Sequence, residues 1–110
     1  MIFKGLKVVE FTLFGIGPVA GRYFADYGAT VVRVESEVRP DPVRTSAPYA
    51  DGKPGLNRSG FWVQANAGKY SISLNLKHPA ALNVAKQLVK WADLVIENFT
   101  PGVLESFDLN

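Results

Sequence analysis

Cysteine is absent from the chain, and its 110 residues include one histidine and one methionine. Without cysteine there can be no disulfide, no thiolate nucleophile and no cysteine-ligated metal. The lone His78 cannot build a metal site by itself. Long apolar runs are missing too: Met1 to Phe11 contains Lys4, Lys7 and Glu10, which suits neither a signal peptide nor a membrane span. Charge of one sign is not in excess, since 12 basic residues meet 10 acidic ones and the basic residues are scattered. That is no nucleic-acid footprint. Together these absences predict a soluble, cytoplasmic protein with no metal, no nucleic-acid partner and no membrane contact.

What is present is ordinary globular material: 47% of the residues are hydrophobic and 20% are charged. Such a composition folds, and the length suits one domain or one piece of a larger one. Lys7 to Phe11 reads as a short strand whose valines suit a buried parallel sheet. A glycine-rich turn, Gly15 to Gly21, follows at once. Pro18 is placed to open a helix and Gly28 to close one, so Pro18 to Tyr27 is predicted helical. Val19, Tyr23 and Tyr27, flanked by Ala20 and Phe24, are its expected apolar face. Thr30 to Val34 is a second strand, parallel to the first because a helix has returned the chain across the sheet.

From Ser36 to Ser59 prolines, glycines and mixed charges show no period, which predicts a long loop that forms or covers a ligand site. Phe61 to Ala65 reads as a short helix under it. Ser71 to Leu76 alternates polar and apolar, as a half-buried strand does. Pro79 opens a helix whose inner face is Ala81, Leu82, Ala85, Leu88, Val89 and Ala92, with Asn83, Lys86, Gln87 and Lys90 toward water. His78 before it reads as a surface loop residue. Leu94 to Ile96 is a buried strand, and Val103 to Phe107 a helical turn. Alternating strands and helices predict an α/β, Rossmann-like parallel sheet with flanking helices. Ligands bind such sheets at the carboxyl ends of the strands, here after Phe11, after Glu35 and after Glu97.

The turn by itself suggests a dinucleotide. Gly15, Gly17 and Gly21 follow a strand and open a helix, and Glu35 stands near the place of a ribose-binding acid. The third glycine is one residue late for that fingerprint, so an NAD(P)-binding dehydrogenase domain is an alternative and not the first choice. Lys77 just before a proline-opened helix is suited to a phosphate, which gains from both the ammonium and the helix N–H groups. Asn98 at the end of a strand can donate and accept, as recognition of an amide-bearing arm requires.

Several separated stretches share a more specific resemblance. Gly5 to Phe11, Gly17-Pro18, Gly28 to Glu35, Asp41-Pro42-Val43-Arg44, Asn66 to Lys77 and Ala92 to Gly102 resemble, in order and spacing, the opening of the family III CoA transferases, the CaiB/BaiF group. The resemblance covers essentially the whole chain. It implies that the Rossmann-like unit holds coenzyme A, or an acyl-CoA as substrate, and not a redox dinucleotide. Phe14, Gly15 and Ile16 would line the path of the pantetheine or nucleotide. Leu74 and Lys77 would meet the nucleotide end, and Asn98 and Phe99 the pantetheine side. Glu35 then becomes a structural acid at a strand end. Arg39 and Arg44 are further candidates for phosphate or adenine, with an internal pair of Arg44 with Asp41 as the other role for Arg44. The chain departs from the family at Ser36, where relatives carry a basic or flat residue, and at Ser106, where they often carry arginine.

The resemblance also implies what is not here. The family's nucleophile is an aspartate that forms anhydride and thioester intermediates, and Asp26, Asp41, Asp51, Asp93 and Asp108 do not match it. The chain is therefore expected to be the amino-terminal part, residues 1–110, of a larger CoA-binding domain in an interlocked homodimer, or one part of an enzyme whose remainder is on another chain, and to be inactive alone. The expected activity of the whole is transfer of CoA between an acyl-CoA and a carboxylic acid. An acyl-CoA racemase of the same superfamily is the alternative, and Asn98 favours transfer.

Overall fold

The structure is a computed structural model, and it describes residues 2–12, 16–36, 52–53, 62 and 65–99. In chain order the elements are β1 (Lys7–Phe11), α1 (Ile16–Asp26), β2 (Thr30–Glu35), β3 (Tyr70–Ser73), α2 (Pro79–Trp91) and β4 (Leu94–Glu97). The four strands form one sheet in the order β3-β2-β1-β4, and every neighbouring pair is parallel. This is the α/β architecture expected from alternating strands and helices. No helix among the described residues is long and apolar enough to cross a membrane.

Strand alternation assigns the two faces. Val9, Phe11 and Val34 point to one side, where Leu82, Ala85, Leu88 and Val89 of α2 cover them. Val8 and Val31 point to the other, against Phe24 and Ala25 of α1. The helices therefore lie on opposite faces, and β1 in the middle is buried from Val8 to Phe11. β4, expected to be buried, is half-buried. It is an edge strand of the described sheet and has a neighbour on one side only.

The inner face of α1 is not the one its aromatic residues suggest. Val19, Tyr23 and Tyr27 are 55%, 60% and 44% exposed, whereas Gly17, Pro18 and Gly21 are buried. The physical reason lies in the sheet, which presents Glu10 and Thr12 beneath this half of the helix. Small residues let the helix backbone approach those side chains, and tyrosines would hold it away. The helix also starts two residues before Pro18 and ends one before Tyr27. Its exit is the one expected from Gly28, which has φ +103°. Gly28 N–H donates to the Ala25 carbonyl at 3.1 Å and Ala29 N–H to that of Phe24 at 3.0 Å, the two bonds of a Schellman cap.

The third strand is shorter than the Ser71 to Leu76 alternation predicts. Leu74 N–H still donates to the Glu35 carbonyl at 2.7 Å, but β2 ends there. Asn75 then turns the chain, its Oδ1 accepting from Lys77 N–H at 3.2 Å and its carbonyl from His78 N–H at 2.9 Å. His78 is more than a surface loop residue. It is the N-cap of α2, where its Nδ1 accepts from Ala80 N–H at 3.2 Å. The outward residues of α2, Asn83, Lys86, Gln87 and Lys90, are exposed as the period predicts.

Of the predicted Phe61 to Ala65 helix, Trp62 and Ala65 are described and are helical. The 36–59 loop beyond Ser36, apart from Gly52 and Lys53, and the predicted turn from Val103 to Phe107 lie outside the described residues.

Candidate functional site

Because the strands are parallel, their carboxyl ends form one rim. Thr12 follows β1, Ser36 follows β2, Leu74 and Lys77 follow β3, and Asn98 and Phe99 follow β4. The chain leaves β1 toward β2 through α1 and later returns through α2 to β1's other side. The order therefore reverses between β1 and β4, which is where open α/β sheets have their ligand crevice.

The amino-terminal turn of α1 closes on that crevice. Asn98 N–H donates to the Phe11 carbonyl at 3.3 Å, which holds the Asn98 backbone beside the end of β1. A methyl added to Gly17 would stand 2.7 Å from Thr12 Cγ2 and 2.8 Å from Asn98 Cγ. Glycine is thus required at 17 because Thr12 and Asn98 both press against it. The first N–H groups of α1 lie at this point, and they carry the positive end of the helix.

Of the residues predicted to bind a ligand, the structure brings Asn98 against the turn that contains Ile16. Phe14 and Gly15 lie outside the described residues, as do Arg39 and Arg44; Ile16 is the first residue of α1 and its side chain is not described. Phe99 is half-buried and packs edge-on to Phe11, ring centroids 6.4 Å apart, so it also serves the core. Leu74 packs with the same core cluster. Lys77 is exposed at the entry to α2, in the connection that follows the edge strand β3.

Beneath the site lies a buried charged network that sequence reasoning missed. Glu10 on β1 and Arg33 on β2 are 0% and 1% exposed, and Lys69 just before β3 is 2% exposed in its side chain. Lys69 Nζ donates to Glu10 Oε1 at 2.8 Å, to Asn66 Oδ1 at 2.8 Å and to the Pro18 carbonyl at 2.7 Å. Thr12 Oγ1 donates to Glu10 Oε1 at 2.8 Å, and Arg33 donates to the Thr12 carbonyl at 3.0 Å. Glu35 accepts from Ser71 Oγ at 2.6 Å and lies 3.5 Å from Arg33 Nη1. Its carboxylate is engaged in the sheet, as a structural acid's would be. Two cations and two carboxylates balance here, as burial requires. The available signal was the shared place of Glu10 and Arg33, each the fourth residue of its strand.

A sequence model of "CoA-transferase family III" matches residues 3–110. The chain belongs to CoA-transferase family III. It is 35% identical over 108 residues to the BbsE subunit of the succinyl-CoA:(R)-benzylsuccinate CoA-transferase of Thauera aromatica, covering 98% of this chain and 26% of that protein. It is 37% identical over 109 residues to the succinate–glutarate CoA-transferase of Agrobacterium fabrum, covering 97% of this chain and 27% of that one. The solved structure of a CaiB/BaiF family protein from Brucella suis superposes with a TM-score of 0.86 at 34% identity, over 98% of this chain and 28% of that one. The chain thus spans about a quarter of the length of the family III relatives it matches. The expected resemblance to the CaiB/BaiF group is borne out, and so is the α/β fold.

Proposed function

We propose that the chain is the amino-terminal, CoA-binding part of an acyl-CoA:carboxylate CoA-transferase, built as the Rossmann-like portion of a larger domain. One observation carries the site: Asn98 and Thr12 pack on Gly17 at the start of α1, in the crevice between β1 and β4. Backbone around Phe14, Gly15 and Ile16 lines the path of the CoA, and Asn98 and Phe99 take the pantetheine side. Leu74 and Lys77 take the nucleotide end. Lys77 is exposed, so its charge reaches a phosphate through solvent-accessible space. Such a contact contributes about 1–3 kcal/mol where the bound phosphate partly buries it.

The reaction is exchange of CoA between an acyl-CoA and a carboxylic acid. This chain binds and orients the CoA moiety, and no residue of it is assigned the nucleophilic step. The names of the relatives support the substrate classes, since one CoA-transferase is named for succinyl-CoA and (R)-benzylsuccinate and the other for succinate and glutarate. The whole protein acts as an interlocked homodimer in the cytoplasm. Glu35 is held by Ser71 and Arg33, which argues against a ribose-binding role and hence against a dinucleotide.

The test is titration of the full-length protein with CoA and with NADH, together with an assay for acyl-CoA formed from a donor thioester and an added acid. Binding of CoA and exchange of the thioester are expected. Tight NADH binding without CoA binding would overturn the reading.

A further inference from the structure

The two halves of α1 are held to the sheet by different forces. Toward its end, Phe24 and Ala25 bury apolar surface against Val8 and Val31. Toward its start, the residues that face the sheet are Gly17, Pro18 and Gly21, over Thr12 and Glu10. The two glycines offer no side chain to bury, and Pro18 is the one of these three residues that buries apolar surface.

Lys69 supplies what is missing. An ammonium has three N–H bonds, and those of Lys69 point to Glu10 in β1, Asn66 ahead of β3 and the Pro18 carbonyl in the first turns of α1. A carbonyl has two lone pairs, so Pro18 can serve Lys69 and its own helix together. One buried cation thereby joins three separate parts of the chain at a single point. The part that carries the candidate site is thereby tied at the Pro18 carbonyl.

We infer that Lys69 is a positioning residue for the CoA moiety: through Pro18 it sets the depth of the α1 amino-terminal turn against Asn98. This rests on the reading of that turn as the CoA site. Lys69 itself touches no ligand, because its side chain is enclosed.

The test uses the full-length protein and Lys69→Met, which keeps the stem and removes the ammonium. The KM for acyl-CoA rises about tenfold, a loss typical of a displaced binding group, while the KM for the carboxylic acid stays unchanged. Leu88→Ala, toward the carboxyl end of α2 and away from the rim, is the control, lowering Tm without moving either KM. Where Lys69→Met gives no folded protein, Asn66→Ala removes one acceptor and keeps the ion pair, with an expected rise in acyl-CoA KM of about threefold. An unchanged acyl-CoA KM at reduced Tm, or an equal rise in both KM values, shows Lys69 to be only a strut and overturns the inference. Failure of the wild-type protein to bind CoA overturns the underlying reading, and the inference with it.

Discussion

Glu10 and Arg33 are register partners across β1 and β2, both side chains are buried, and Arg33 Nε lies 3.5 Å from Glu10 Oε1. Opposite charges thus sit side by side in the middle of a parallel sheet, where apolar residues are usual. Lys69 joins the same Glu10 oxygen at 2.8 Å. Burial makes the group sensitive to loss of any one member, because a charge left without its partner keeps its desolvation cost. Glu10→Gln is therefore expected to lower stability by about 3–5 kcal/mol, measured by denaturant unfolding of the full-length protein. Removing Glu10 and Lys69 together should cost less than the sum of the two single changes. Additive losses would show that the pair is not coupled.

That network also marks the limit of what the sequence disclosed. The order of strands and helices was legible because their periods are strong and Pro79 and Gly28 punctuate them. The rim position of Asn98 was legible for the same reason, since it follows directly from where β4 ends. The inner face of α1 was not, because Val19, Tyr23 and Tyr27 form a more hydrophobic series than Gly17, Gly21 and Phe24. Only the sheet beneath, with Glu10 and Thr12 in the way, decides between them. Lys69 was unreadable as a buried cation because its partners lie 59 and 51 residues earlier in the chain.

Gly21 tests how closely α1 approaches. A methyl there would overlap Glu10 Oε2 and stand 3.2 Å from Lys69 Cε. Replacing a helix-interior glycine by alanine normally gains up to about 1 kcal/mol of helix propensity. Here the carboxylate cannot retreat, since its other oxygen is held by Lys69 and Thr12. Overpacking costs about 1–3 kcal/mol and wins, so Gly21→Ala is expected to lower Tm. A rise in Tm would show that the helix can lift off the sheet freely.

Gly28 is the simpler case. Its φ of +103° is poorly accessible to a residue with a Cβ, and nothing about its neighbours needs to change for the strain to appear. Gly28→Ala should cost about 1–2 kcal/mol with the Schellman bonds intact. Unfolding midpoints of the variant and wild type give the value directly.

The exposed pair Tyr23, on α1, and Tyr27, just past its end, offers a titration. Tyr27 is held above the ordinary tyrosine pKa, first by its hydrogen bond with Tyr23 and then by the nearby charge of that group, with smaller effects from burial and Asp26. A proton kept more tightly in the folded state contributes stability below the unfolded pKa, and that contribution fades as pH rises through the folded value. Tyr23→Phe is expected to bring Tyr27 ionisation back toward the ordinary value in an ultraviolet titration. No change would assign the shift to burial and Asp26 instead.

Lys77 and Asn98 can be told apart by the part of CoA that each would meet. Both lie on the carboxyl-end rim, but Asn98 follows β4 at the β1/β4 crevice and Lys77 follows β3, two strands from β1. A cation at the nucleotide end recognises phosphate, whereas an amide at the crevice recognises the amides of the pantetheine arm. Lys77→Ala should therefore weaken binding of whole CoA by about 1–3 kcal/mol and leave binding of pantetheine unchanged. Asn98→Ala should weaken both ligands by about 1 kcal/mol. Lys90→Ala, in the last turn of α2, is the charge-matched control and should change neither. Calorimetric titration of the full-length wild type and variants with each ligand reads these affinities. Equal losses of CoA and pantetheine in Lys77→Ala would place that lysine outside the nucleotide end, because a phosphate contact has no counterpart in the shorter ligand.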